Sequence, residues 1–140
     1  MQELRVCVDV DDLEKGIAFY TRAFDLEVGR RLDRSWVELV GAPSPIDLLA
    51  EPAGSKASPV AGARRDYGRH WTPVHLDFSV PDLDAAVKRA VDAGATLDRE
   101  IQARPWGRMA NMADPFGNGF CLLEFRGRGY DEIAPGTPYA

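Results

Sequence analysis

The sequence has few of the residues that build metal centres and disulfides, and it has no long apolar run. Its 140 residues include two cysteines and two histidines. No stretch approaches the roughly 20 apolar residues of a membrane-spanning helix, so we expect no membrane partner. In a reducing compartment a disulfide between Cys7 and Cys121 is disfavoured, and we expect both to be small, buried strand residues. The N-terminal residues run straight into a strand-like pattern, unlike a signal peptide, which predicts a cytoplasmic location.

Acidic residues outnumber basic residues in the chain. The chain has 17 lysine and arginine residues against 22 aspartate and glutamate residues, which gives a net charge of −5. Nucleic-acid-binding proteins usually present a clustered basic face, and the pairs Arg30-Arg31 and Arg64-Arg65 are too short to form one. The hydrophobic share of 45% and the charged share of 28% are ordinary for a globular protein. The sequence therefore predicts a globular domain without a nucleic-acid partner.

An internal repeat organises the chain. Residues 5–10 and residues 74–80 each alternate polar and apolar side chains, as a half-buried strand does. Asp12 and Asp82 follow as predicted helix N-caps. Apolar residues then recur at helical spacing in each half: Leu13, Ile17, Tyr20 and Phe24, and Leu83, Val87, Ala90 and Val91. Three strand-like runs close each half, near 27–33, 35–40 and 45–51, and near 96–102, 107–113 and 119–125.

The pattern therefore predicts one β-α-β-β-β unit in each half. One helix is too little to cover both faces of such a unit's sheet, so we expect the two units to pair. We predict an α+β fold in which two βαβββ repeats form a curved mixed sheet around a cleft. The chain is then a single domain, with repeat one at about 3–51, a linker at 52–73, repeat two at about 74–126 and a tail at 127–140.

Five short motifs follow one another in a characteristic order. They are Val10-Asp11-Asp12-Leu13, Ile17-Ala18-Phe19-Tyr20, His75-Leu76-Asp77-Phe78-Ser79-Val80, Ala93-Gly94-Ala95 and, before the final strand, Asp114-Pro115-Phe116-Gly117-Asn118. In this order they resemble the vicinal oxygen chelate (VOC) superfamily, which includes glyoxalase, bleomycin-resistance proteins and extradiol dioxygenases. The resemblance covers nearly the whole chain and implies a homodimer. It is specific for the fold and not for a reaction, because this fold hosts several chemistries.

The resemblance also implies where metal ligands would lie. Metal-dependent members take ligands from the first and fourth strands of each repeat, which here are Arg5, Asp47, His75 and Cys121. Of these, His75 alone matches the family pattern. Arginine has no available lone pair and carries a fixed positive charge, so Arg5 opposes a cation and could pair with Asp47. Asp47 and Cys121 stand where longer carboxylates are usual.

We therefore favour no cofactor. If a divalent metal such as Zn, Ni, Mn or Fe binds, the expected ligands are Asp47, His75 and Cys121, a three-ligand set that zinc accepts. A non-haem iron dioxygenase is disfavoured because that chemistry needs two histidines and a carboxylate. The second histidine of this chain, His70, lies in the predicted linker.

Without a metal, several residues remain candidates for contacts with a small molecule. Arg5 is either a structural salt bridge or a clamp for an anionic ligand, and His75 is either a hydrogen-bonded strand residue or a general base and ligand contact. Cys121 as a reactive thiolate needs an electropositive setting. The resemblance places Trp106 and Arg108 near the cleft mouth, which predicts that both contact the ligand.

Three functions are then open. The first is a glyoxalase/bleomycin-resistance family protein that binds a small organic molecule in the cleft without a conventional catalytic metal. The second is a glyoxalase-like lyase or isomerase with an unusual Asp/His/Cys ligand set. The third is a metal-free enzyme in which His75 acts as the base. The missing pair of glutamates favours the first, since in glyoxalase-like members those carboxylates bind the metal and one of them moves a proton.

Overall fold

The structure, a computed structural model, describes residues 1–60 and 62–135. The first repeat contains β1 (Val6–Val10), α1 (Leu13–Phe24), β2 (Glu27–Asp33), β3 (Trp36–Val40) and β4 (Ile46–Ala50). The second contains β5 (Leu76–Ser79), α2 (Leu83–Ala93), β6 (Thr96–Leu97), β7 (Gln102–Arg104), β8 (Gly107–Ala113) and β9 (Gly119–Phe125). A short 3-10 helix, Gly129–Glu132, follows. Residues 136–140 of the predicted tail lie outside the described residues.

The predicted α+β fold of two βαβββ repeats is confirmed. Each repeat forms its own mixed sheet, with strand order β1-β4-β3-β2 in the first and β5-β9-β8-β6 in the second. β1 runs parallel to β4 and β5 runs parallel to β9, and the other pairs are antiparallel. The run predicted at 96–102 is two short strands that both pair with β8. Asp98 and Arg99 lie between these two strands. The side chain of Asp98 accepts a hydrogen bond from Arg69, and the side chain of Arg99 donates one to Asn111.

Helix caps fix where each helix begins. The carboxylate of Asp12 accepts a hydrogen bond of 3.0 Å from the backbone N–H of Lys15, and Asp82 accepts one of 3.1 Å from Ala85. Each carboxylate therefore satisfies a backbone donor that the first helical turn leaves without a partner. The two predicted N-caps are confirmed. No helix in the described residues is long and apolar enough to span a membrane.

The core lies between the helices and one face of the sheets. Alternate strand residues, such as Val10, Leu48 and Leu122, are almost fully buried there. Aromatic rings join the two repeats inside this core, with Phe24 of α1 stacked on Phe78 of β5 at 4.1 Å between ring centroids. The opposite sheet face is not covered by α1 or α2, the two α-helices of the described residues. We call it the open face, and its central residues are Arg5, Cys7, Glu38 and Asp47 in the first repeat and His75, Asp77, Asn111 and Cys121 in the second.

The two cysteines differ in burial. Both are free thiols, and Cys121 is buried while Cys7 is exposed. The expectation that Cys7 is buried is therefore wrong. Its side chain alternates with Val6 and Val8, which pack toward the helices, so it projects from the open face instead.

Candidate functional site

Arg5 lies at the centre of an ion-pair network on the open face of the first repeat. Its Nη2 donates to Oδ1 of Asp47 at 2.7 Å, and its Nε donates to Oδ2 at 3.2 Å. The same Nη2 lies 2.7 Å from Oε2 of Glu38. Arg30 holds both oxygens of Glu38 from the other side, at 2.9 and 2.8 Å. Strand register explains the cluster, because Glu38 of β3 and Asp47 of β4 are cross-strand partners.

Two guanidinium groups thus neutralise two buried carboxylates. Hydrogen bonds from Arg30 and Arg5 lower the pKa of Glu38 to about 2. A metal ion at Asp47 would have to displace charge-assisted hydrogen bonds and lie beside the fixed charge of Arg5. The divalent metal site that spans both repeats of the family therefore does not fit these residues.

The equivalent positions of the second repeat form a different cluster. Asp77 and Cys121 are cross-strand partners on β5 and β9, just as Cys7 and Asp47 are on β1 and β4. Nε2 of His75 lies 3.2 Å from Oδ1 of Asp77. The ligand atoms of His75, Asp77 and Cys121 lie within 4.8 Å of one another. The structure therefore brings His75 and Cys121 together with Asp77, whereas Asp47 is held by Arg5.

Asp77 is a site residue that the sequence reasoning did not select. Its signal was present in the alternation, which places Asp77 on the same strand face as His75. The equivalent helix caps Asp12 and Asp82 are 70 residues apart, and the same offset pairs Cys7 with Asp77. The family pattern assigns the ligand on this first strand of the second repeat to His75, two residues earlier, and so it does not point to Asp77.

The thiol of Cys121 is not activated by its surroundings. Burial, followed by the charge of Asp77, raises its pKa to about 11, although a hydrogen bond from Asn111 acts in the opposite direction. The amide nitrogen of Asn111 lies 3.4 Å from the sulfur. The free thiol is therefore protonated at neutral pH, which disfavours a role as a nucleophile.

Trp106 and Arg108 lie apart from each other. Trp106 is 8% exposed and packs with Cys121 and Leu123 on the open face, and its ring lies 5.6 Å from Phe125 between centroids. Arg108 projects from the other face of β8, where it pairs with Asp84 in the first turn of α2 and with Glu124 of β9. The structure therefore brings Trp106 close to the second-repeat cluster, but it does not bring Arg108 there.

A cavity of about 520 Å³ opens where β1 and β5 approach each other. Its apolar lining includes Val6, Val8, Leu49, Val74, Phe78 and Phe120, and its polar lining includes Cys7, Asp9, Arg65, His70, His75 and Asn118. We call it the seam cavity. Residues of the linker cover it, and Nε of Arg65 donates to Oδ2 of Asp9 at 2.6 Å. His75 thus belongs to both the second-repeat cluster and the rim of the seam cavity.

Comparisons with known proteins agree with this architecture. The family model of the glyoxalase-like domain matches residues 5–123. This chain belongs to the glyoxalase-like domain family. The match spans both repeats, and it confirms the resemblance to the VOC superfamily that the motifs indicated.

Two curated relatives and one solved structure illustrate the family. The anthracycline biosynthesis protein DnrV of Streptomyces peucetius is 40% identical over 101 residues, which are 71% of this chain and 34% of DnrV. The uncharacterized protein Mb0911c of Mycobacterium bovis is 32% identical over 117 residues, covering 81% of this chain and 76% of that protein. The glyoxalase-related enzyme from Fulvimarina pelagi shares the fold at a TM-score of 0.69 and 19% sequence identity. The superposition covers 88% of this chain and 87% of the chain of that enzyme. This chain spans about a third of the length of the anthracycline-biosynthesis relatives that it matches.

Proposed function

We propose that this family member binds a small organic molecule with a planar aromatic part in the seam cavity, without a catalytic metal shared by the two repeats. The cavity carries the proposal. Its volume of about 520 Å³ lies in the range of small-molecule pockets, and its wall is mostly apolar with a few polar groups. Such a wall buries the body of an organic ligand, while Asp9, Arg65 and His75 supply hydrogen bonds that orient it.

The shape of the ligand is inferred from the aromatic lining. Tyr20, Tyr67, Phe78 and Phe120 contribute to the cavity wall, and aromatic side chains favour stacked or edge-on contacts with planar rings. The hydroxyl of Tyr67 lies within hydrogen-bond distance of two backbone carbonyls, which fixes this part of the linker over the cavity. DnrV, the relative of this chain, is an anthracycline biosynthesis protein, and anthracyclines are planar aromatic compounds of the same class.

A glyoxalase-like proton transfer is less well supported. A general base works best when its pKa lies near the operating pH, whereas the pKa of Glu38 is lowered to about 2. Asp47 binds the Arg5 guanidinium with both of its oxygens. Both carboxylates at the centre of the open face in the first repeat, Glu38 and Asp47, are therefore engaged by arginine. Binding rather than lyase or isomerase turnover is the function that we propose.

We also propose that the chain acts as a homodimer in the cytoplasm. The open face carries partly exposed aromatic residues, with Trp36 at 40% and Phe125 at 43% exposure. Burial of such residues against a second copy would stabilise a dimer. A reducing compartment would keep the two free thiols reduced. Light scattering coupled to gel filtration tests the dimer, and a monomeric mass at micromolar protein would contradict it.

The binding proposal is tested by titration with planar aromatic compounds, including an anthracycline, in the presence of EDTA. We expect saturable quenching of tryptophan fluorescence with one compound per chain. Cys7 lines the cavity and is exposed, so Cys7→Trp should fill the mouth and weaken binding at least tenfold. Cys7→Ser keeps the space and should bind as the wild type does. Equal affinity for Cys7→Trp and wild type, or no binding across the panel, contradicts the proposal.

A further inference from the structure

The second repeat gathers three metal-ligating side chains on two neighbouring strands. His75 precedes Asp77 by two residues, so both face the same side of β5, and Asp77 lies directly across from Cys121 of β9. Their ligand atoms already lie within 4.8 Å of one another. Tetrahedral zinc holds its donors about 3.5 Å apart. The side chains of His75 and Asp77 are 42% and 44% exposed, which leaves them free to make the remaining shift of about 1 Å.

The two repeats differ in the net charge of the side chains at these equivalent positions. In the first, Arg5 and Arg30 already neutralise Glu38 and Asp47. In the second, a neutral imidazole, the carboxylate of Asp77 and a thiolate would together match the charge of one divalent cation. Metal binding releases the thiol proton to solvent, as is usual for cysteine ligands. The second repeat thus has the donor charge that a cation needs, and the first does not.

The surroundings of the sulfur suit a metal-bound thiolate. The Asn111 amide lies 3.4 Å from Sγ of Cys121 and can keep donating to it after the proton leaves. The nearby guanidinium of Arg99 is engaged, since it donates to Oδ1 of Asn111 at 2.8 Å and to Gln102 at 3.0 Å. Arg99 therefore orients Asn111 through a contact of the kind that supports metal ligands from outside the coordination shell.

We propose that His75, Asp77 and Cys121 form a divalent-cation site of the zinc type, contained within the second repeat. Thiolate and imidazole donors select zinc-like ions over magnesium and calcium, which prefer oxygen ligands. This site differs from the two-repeat arrangement of the family, because it uses Asp77 and needs nothing from Arg5 or Asp47. Three protein ligands leave a fourth position for water or for a donor atom of a bound compound.

The full-length chain, stripped of metal and titrated with Co²⁺ as a spectroscopic substitute for Zn²⁺, tests the site. We expect a near-ultraviolet thiolate-to-cobalt charge-transfer band that saturates at one ion per chain and disappears when Zn²⁺ is added. Cys121→Ser should abolish the band, and Asp77→Asn and His75→Gln should weaken binding at least tenfold. His75 and Asp77 are exposed side chains, so their variants keep the metal-free fold, which circular dichroism checks.

Cys7→Ser is the matched control, because it removes the other thiol at the position equivalent to Asp77. It should leave the cobalt band unchanged. Absence of a charge-transfer band in the wild type, or a band that survives Cys121→Ser, overturns the site. The measurement contains no organic compound, and the binding titration contains EDTA, so failure of either proposal is distinguishable from failure of the other.

Discussion

The hydroxyl of Tyr20 donates a hydrogen bond of 2.6 Å to Oδ2 of Asp114. Tyr20 lies on α1 of the first repeat, and Asp114 begins the turn before β9 of the second, so the bond links the two halves. Oδ1 of Asp114 also accepts from the backbone N–H groups of Phe116 and Asn118, at 2.8 and 2.9 Å. One buried carboxylate thus shapes the turn and anchors the helix that packs against it.

Tyr20→Phe should lower the free energy of unfolding by about 1–3 kcal/mol, because it removes a donor from a buried carboxylate. Urea denaturation followed by circular dichroism measures the change. Tyr130→Phe is the control, since Tyr130 is 50% exposed and should lose little stability. Equal unfolding free energies for Tyr20→Phe and the wild type would show that the buried bond contributes nothing.

Glu38 should make stability depend on pH in the acid range. Arg30 and then Arg5 lower its pKa from 4.5 to about 2 in the folded protein. Because the folded value is below the unfolded one, the stabilisation is present above pH 4.5 and is lost as the pH falls toward about 2. The urea midpoint of the wild type should therefore fall more steeply over this interval than that of Glu38→Gln. Glu100→Gln, which changes an exposed acid, should follow the wild type, and parallel curves for Glu38→Gln would contradict the linkage.

Arg108→Gln should destabilise the fold without affecting the binding of aromatic compounds. Arg108 lies beside Glu124, whose Oε2 accepts a hydrogen bond of 2.7 Å from the backbone N–H of Leu83 at the start of α2. Without Arg108, this buried carboxylate loses part of its neutralisation, and the urea midpoint should fall. Arg108 projects away from the open face, so the quenching titration should give the wild-type affinity. If Arg108→Gln bound aromatic compounds tenfold more weakly and kept the wild-type urea midpoint, the result would contradict this prediction and show that Arg108 contacts the ligand.

The two thiols should differ in their reaction with a disulfide reagent such as DTNB. Cys7 is exposed and Cys121 is buried, so the native chain should release one equivalent of chromophore and the urea-unfolded chain two. Partial desolvation of the Cys7 sulfur, followed by the charge of Asp9, raises the pKa of this thiol, so even this reaction should be slow at neutral pH. Cys7→Ser should leave the native chain unreactive. Release of two equivalents from the native wild type would contradict the burial of Cys121.

Alternation in the sequence predicted much of the open face. It placed Arg5, Cys7 and Asp9 on one side of the first strand, opposite the valines, and the structure shows the same division. The same pattern indicates an exposed Cys7, whereas the residue type alone indicates burial, because cysteine is among the most often buried residues. Arg108 was harder to place, because both faces of β8 carry apolar residues and the alternation does not distinguish them.

Pairing between side chains was less predictable than their position. The sequence suggested that Arg5 could neutralise Asp47, but the participation of Glu38 and Arg30 depends on the register of three adjacent strands. That register is set by packing against α1 and by an irregular β2–β3 ladder that no local pattern reveals. The seam cavity likewise depends on how the linker crosses between β1 and β5.

The described strand ladders stay within each repeat, so the halves meet through side chains and the connecting segment. A substitution on one sheet can therefore alter its chemistry while the backbone hydrogen bonds of the other sheet stay intact. Two units built in this way can carry different chemistry at equivalent positions. In the first, arginines pair with the carboxylates of Glu38 and Asp47, whereas the second places an imidazole, a carboxylate and a thiol side by side.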